Sequence, residues 1–162
     1  MESLVNAVTQ PIGIVLADDH PVIRQGLARI LQSQKDIEIV AEASDGEEAC
    51  KLYDRLSPDV IILDLRMPKK DGLQVLLELM SRPVSKARII VMTSYDSEQD
   101  IRRALSAGAK AFLVKESHPQ LIREAVRRVA QGESFLPPEI ASKRDIVKSC
   151  VRELAHPWFL TG

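Results

Sequence analysis

Apolar positions along the chain follow two alternating periods. Runs of strand length, "IGIVLA" (12–17), "IEIVAEA" (37–43), "DVIILD" (59–64), "RIIVMTS" (88–94) and "AKAFLVK" (109–115), are separated by segments whose apolar residues recur at helical spacing. Ile23, Leu27, Ile30 and Leu31 share one helical stripe, Ala49, Leu52, Tyr53 and Leu56 a second, and Ile122, Ala125, Val126 and Val129 a third. Three of the strand runs are nearly continuous in β-branched or aliphatic residues, the pattern of strands covered on both faces.

Local punctuation agrees with these periods. Ser44 with Glu47, Ser97 with Asp100 and Ser117 with Gln120 each predict a capped helix start. Pro58 predicts the stop of the second helix, "GAK" at 108–110 a turn into the fifth strand, and Gly132 a C-cap after the last stripe. Five strand–helix units in alternation predict an α/β fold with a parallel sheet and helices on both faces. Right-handed crossovers leave few topologies, and five units are too few to close an eight-fold barrel, so a doubly wound five-stranded sheet is expected.

Composition narrows the class without changing the fold. The 162 residues suit one compact domain with a short appendage, and 45% hydrophobic with 28% charged residues is ordinary for a soluble protein. A net charge of −1 predicts no general attraction to nucleic acid or anionic membrane. Cys50 and Cys150 lack metal-ligand spacing, which argues against a zinc site or a disulfide framework. The opening "MESLVNAVTQP" has no signal pattern, and no apolar run reaches the roughly 20 residues of a membrane span. A cytoplasmic location is expected.

Candidate chemistry sits at the carboxyl ends of the strands, where open parallel sheets bind ligands. The first strand ends in Asp18 and Asp19, the third in Asp64, the fourth in Thr93 and Ser94, and the fifth in Lys115. Taken singly, each has an ordinary reading: Asp19 as a helix N-cap, Asp64 as a turn starter, Thr93 as a strand residue, Lys115 as a solvated loop lysine. Together they predict three carboxylates, a hydroxyl and an amine at one sheet edge. Such a carboxylate cluster repels itself unless a cation joins it. Mg2+ suits hard oxygen ligands and commonly binds through carboxylates and phosphate oxygens, so the set points to phosphoryl chemistry with an aspartyl nucleophile.

The ordered motifs "ADDH" (17–20), "LDLRMPKKDGL" (63–73), "MTSY" (92–95) and "AKAFLVKES" (109–117) resemble the receiver domain of bacterial two-component response regulators. "LADDHPVIRQGL" and "QGESFLPPEIA" further resemble the NarL/FixJ subfamily, whose receivers precede a LuxR-type helix-turn-helix. The resemblance implies a flavodoxin-like sheet of order 2-1-3-4-5 over residues 12–132, after an N-terminal extension of residues 1–11. It implies that Asp64 is the phosphoacceptor, and that Asp18, Asp19, Asp64 and the backbone carbonyl of Arg66 hold Mg2+. Lys115 would contact the phosphoryl group, Thr93 would move toward it, and Phe112 would rotate with Thr93. Arg66 and Tyr95 stand where side chains tune phosphoaspartate lifetime, and Pro68 and Gly72 shape the loop after the nucleophile. Glu116 departs from the family's frequent proline after the lysine.

The implied partners are a sensor histidine kinase and, on phosphorylation, a second copy of the chain. Only 25 residues follow Pro137, too few for a helix-turn-helix with its own core, so DNA is expected only through an effector domain that this sequence does not include. Residues 133–162 predict a linker and an amphipathic helix with Ile140, Val147, Val151 and Leu154 on one stripe. Lys143, Arg144, Lys148 and Arg152 are interspersed with acids there, as on a solvated face, while Trp158 and Phe159 suggest docking. Two other readings compete. One is a stand-alone receiver acting by phosphorelay or protein contact. The other is an aspartyl-nucleophile phosphatase or phosphotransferase resembling haloacid dehalogenases, which disfavours itself because Arg66 stands where that family places its second aspartate. No enzyme activity beyond the chain's own phosphorylation and dephosphorylation is expected.

Overall fold

A computed structural model describes residues 10–83, 86–94 and 97–141 of the chain. Five strands alternate with helices: β1 (Ile12–Ala17), α1 (Pro21–Gln32), β2 (Ile37–Ala43), α2 (Gly46–Leu56), β3 (Val60–Leu63), α3 (Gly72–Met80), β4 (Ile89–Thr93), α4 (Glu98–Ser106), β5 (Ala111–Val114) and α5 (Pro119–Ala130). A one-turn helix, α6 (Pro138–Ala141), follows. All pairings are parallel and the sheet order is β2-β1-β3-β4-β5, the doubly wound, flavodoxin-like arrangement that the alternation and the resemblance predict.

Because successive strand residues point to opposite faces, the continuous apolar strands feed two cores. Val15, Ala17, Ile61, Leu63, Ile89, Val91 and Phe112 pack on one side with Ala49, Leu76, Leu79, Ile101 and Leu105, under α2, α3 and α4. Ile14, Leu16, Val60, Ile62, Ile90, Met92 and Leu113 pack on the other with Leu27, Leu31, Ile122, Val126 and Val129, under α1 and α5. The outer strand β2 alternates exposed and covered residues, as an edge strand does.

Helix starts differ from the sequence reading by one residue in two places. Asp45, not Ser44, caps α2 by accepting from the Glu48 backbone N–H, and His118, not Ser117, caps α5 by accepting from Gln120. Pro119 at the first helical position explains the second shift, since its fixed φ suits that place and leaves the preceding residue extended. Ser97 caps α4 as the spacing predicts. The reciprocal capping box among the described helices lies at Asp71 and Gln74 of α3, which the pattern reading passed over. Leu56, assigned to the buried stripe of α2, is 39% exposed because the helix ends there and Ser57 turns into the left-handed region.

Beyond α5 the chain returns along the β5 edge of the sheet. Gly132 takes a φ of 89° after the last turn, and the Phe135 N–H donates to the Lys110 carbonyl at 2.9 Å, forming a bridge beside β5. Ile140 is 2% exposed, within the core cluster under α2–α4. The rest of the predicted amphipathic stripe, Val147, Val151 and Leu154, the basic residues among it, and Trp158 and Phe159 lie outside the described residues, as does Tyr95. No described helix is long and apolar enough to cross a membrane.

Candidate functional site

The strands of the parallel sheet end together at one edge, and their last side chains converge there. Asp18 follows β1 and is 1% exposed, while Asp64 follows β3 and is 3% exposed. Backbone pairing continues just past the strands, with Asp18 N–H donating to the Ala43 carbonyl and Asp64 N–H donating to the Ala17 carbonyl, each at 3.0 Å. These bonds fix both carboxylates against the sheet rather than in mobile loops.

Lys115 joins them from β5. Its Nζ stands 2.7 Å from Asp18 Oδ2 and 2.9 Å from Asp64 Oδ2, and its side chain is 7% exposed. Its backbone N–H donates to the Thr93 carbonyl at 2.8 Å, which extends the β4–β5 ladder and sets the lysine over the carboxylates. Ser117 N–H closes a turn on the Val114 carbonyl at 3.0 Å, so Glu116 is accommodated as an exposed turn residue. Thr93 is buried at the end of β4, and Phe112 lies fully inside the core under α2–α4.

The charges do not balance. Burial raises the Asp64 pKa above the ordinary carboxyl value; Lys115 and the Arg66 N–H, which donates to Asp64 Oδ1 at 3.2 Å, oppose the shift without cancelling it, and Asp18 adds to it. Burial disfavours the charged form of Lys115, but its bonds to Asp18 and Asp64 outweigh that and raise its pKa, so the amine stays protonated. Three carboxylates thus face one lysine. Asp18 Oδ2 is partnered by the Lys115 ammonium, whereas the buried Asp19 Oδ1 makes no hydrogen bond. Oxygen donors of this kind, close together and undersupplied with positive charge, fit a hard divalent cation.

Sequence reasoning missed His20. Its Nδ1 lies 3.2 Å from Asp18 Oδ1, 3.1 Å from Asp19 Oδ1 and 3.9 Å from Asp64 Oδ2. Ligand atoms of Asp18, Asp19, His20 and Asp64 all fall within 4.8 Å of one another. His20 is also the N-cap of α1 and makes no side-chain capping bond, so the capping reading of Asp19 is corrected: the helix starts one residue later. Its position directly after the aspartate pair, in the strand-to-helix turn, was the available signal.

The loop after Asp64 is shaped by close backbone approach. A Cβ on Gly72 would lie 2.3 Å from the Asp64 carbonyl oxygen, and one on Gly46 would lie 2.0 Å from the Lys70 carbonyl oxygen. Gly72 N–H donates to the Leu65 carbonyl at 3.0 Å, which closes the loop on itself. Outside it, a cleft of about 500 Å³ is lined by Asp19, His20, Arg66, Pro68, Asp100 and Arg103 among others. Arg66 is largely exposed, and its Nη2 lies 3.5 Å from Asp100 Oδ2 in the first turn of α4. That ion pair links the loop after Asp64 to the start of α4.

Residues 14–127 match the family model of the response regulator receiver domain. The chain is 40% identical over 132 residues to the transcriptional regulatory protein LiaR of Bacillus subtilis, covering 82% of this chain and 62% of that protein. It is 39% identical over 127 residues to the nitrate/nitrite response regulator NarL of Escherichia coli, covering 78% and 58% respectively. The fold superposes with a TM-score of 0.78 on a LuxR-family two-component response regulator from Aurantimonas, 30% identical, covering 88% of this chain and 99% of that one. The chain therefore spans less than two thirds of the length of these two curated relatives. The matched region contains the whole carboxylate–lysine edge, from Asp18 to Lys115, and by that match the chain belongs to the response regulator receiver domains, with NarL/LuxR-type regulators as its relatives.

Proposed function

We propose that this chain accepts a phosphoryl group on Asp64 from a sensor histidine kinase in the cytoplasm and signals by reshaping the α4–β5 surface. The observation that carries the reading is the convergence of Asp18, Asp64 and Lys115 at one buried edge with more negative than positive charge. An Asp64 carboxylate oxygen forms the new P–O bond as the P–N bond of the donor phosphohistidine breaks, the electron pair leaving with the imidazole. Lys115 contacts a phosphoryl oxygen, and the strand ends hold nucleophile and amine in place, so positioning and electrostatics supply most of the effect. Asp18, Asp19, Asp64 and the backbone carbonyl of Arg66 would hold Mg2+, which offsets charge on the transferring oxygens.

Phosphorylation adds about two negative charges. Thr93 then donates its hydroxyl to a phosphoryl oxygen, and its displacement favours an inward turn of the buried Phe112. Strain reaches α4 by a second route, because Arg66 moves with the phosphorylated loop and pairs with Asp100. Tyr95 and Arg66 tune how long the phosphoaspartate lasts. In a longer parent protein the changed surface would promote dimerisation and control a DNA-binding effector, consistent with the transcriptional regulators among the relatives. The chain catalyses only its own phosphorylation and dephosphorylation, and Arg66 in place of a second aspartate weighs against a phosphatase acting on small substrates.

Acetyl phosphate with Mg2+ tests the assignment. The parent chain should gain one phosphoryl group by intact mass, and Asp64→Asn should gain none; equal labelling of both would overturn the assignment.

A further inference from the structure

His20 has no part in the phosphoryl transfer proposed above, yet its exposed ring lies against the carboxylate cluster. Its Nδ1 sits within about hydrogen-bonding distance of Asp18 Oδ1 and Asp19 Oδ1, at 3.2 and 3.1 Å, and 3.9 Å from Asp64 Oδ2. The side chain is 58% exposed, so the ring is not locked in by surrounding core. As the N-cap of α1, His20 could have turned its side chain to the free N–H groups of that helix, and it makes no such bond. Its backbone N–H instead donates to Asp18 Oδ1 at 2.8 Å, anchoring the residue against the same carboxylate that its ring meets.

Asp19 Oδ1 is buried without a hydrogen bond, and Lys115 is already shared between Asp18 and Asp64. A ring N–H directed at this group supplies part of the missing positive potential. The same volume is needed by any divalent cation that binds the three carboxylates together with its own water molecules.

We propose that His20 is a tethered plug of the acidic pocket, a positioning residue whose imidazole must swing out before a divalent cation enters, and which therefore sets the metal affinity. The proposal rests on the metal-binding reading of Asp18, Asp19 and Asp64. Because the ring is exposed and makes no capping bond, swinging it out costs only its contacts with the carboxylates. Those contacts are what the incoming cation replaces. The device lowers metal affinity in exchange for a hydrogen-bonding partner to the carboxylates whenever the metal is scarce.

Isothermal titration calorimetry of the unphosphorylated chain with MgCl2, and separately with MnCl2, provides the test. His20→Ala should bind both ions several-fold more tightly than the parent. Loss of a merely structural residue would loosen the pocket and could not tighten it. Unchanged or weaker Mg2+ binding in His20→Ala would overturn the proposal while leaving the metal site in place. Weaker Mn2+ binding alone would make the imidazole a ligand and also overturn it. Failure of either chain to bind Mg2+ at millimolar concentration would overturn the metal-binding reading itself, and the proposal with it.

Discussion

At the N-terminal end of the sheet, Arg127 reaches from α5 to Asp36 with bonds of 2.8 and 3.1 Å and to Gln34 with one of 2.9 Å. Asp59 there accepts from the Gly13 N–H at 2.7 Å. These acids lie at the surface, each matched by a donor. At the C-terminal end, one lysine serves two buried carboxylates, a third carboxylate keeps a buried oxygen without a hydrogen bond, and a histidine leans over the group. The same five strands therefore carry acids that are matched and solvated at one end and acids that are buried and in excess at the other. Stability alone favours the first arrangement. An excess of buried charge of the second kind is a mark of functional sites, and it is what the proposed cation and phosphoryl group would use.

The contrast breaks most strongly at Lys115. Lys115→Met leaves Asp18 and Asp64 facing each other without their shared cation, and a buried pair broken in this way costs about 3 kcal/mol. Urea unfolding of the metal-free protein should show that loss at neutral pH. It should shrink as the pH falls through the raised carboxyl pKa, because a protonated carboxyl no longer needs the amine, and added Mg2+ should recover part of it. A pH-independent loss would mean that lost packing of the lysine stem, not charge, dominates.

Asp64→Asn acts in the opposite sense. Burial raises the Asp64 pKa, so its charge opposes folding above the ordinary carboxyl range and ceases to do so once protonated. Removing the charge should stabilise the metal-free chain by about 1 kcal/mol, a rise in melting temperature of about 4 °C. That gain should be largest at neutral pH, close as the pH falls, and vanish in saturating Mg2+. A melting temperature below the parent's would show that the ion pair with Lys115 outweighs the burial.

The smallest effect belongs to the matched end. The Arg127 hydrogen bonds lower the Asp36 pKa, so this pair contributes stability above the ordinary carboxyl pKa and loses it as the pH falls through the lowered value. Both side chains are substantially exposed, and solvent screening limits the contribution to about 0.5 kcal/mol. Arg127→Ala should cost that much at pH 7 and less as the pH falls, with the share of the Gln34 bond remaining, measured by urea unfolding. A loss several times larger would put the N-terminal end on the same footing as the site.

What the sequence determined was everything that depends on period and position in a strand. Two interleaved apolar sets on three of the strands dictated a sheet covered on both faces, and five units dictated an open one. Asp18, Asp64, Thr93 and Lys115 were legible as one edge because parallel strands must end on the same side. What the sequence left open were choices between neighbours along the chain, such as Ser44 against Asp45 or Ser117 against His118, where adjacent polar residues compete for one capping position. The tertiary structure alone decided that Lys115 divides itself between Asp18 and Asp64, since the Lys115–Asp64 contact crosses 51 positions of sequence. It also decided that Arg66 meets Asp100, that Ile140 returns to the core, and that His20 turns from its helix toward the carboxylates. Periodicity tells which face a residue is on; the partner it finds there depends on distances that only the packed chain sets.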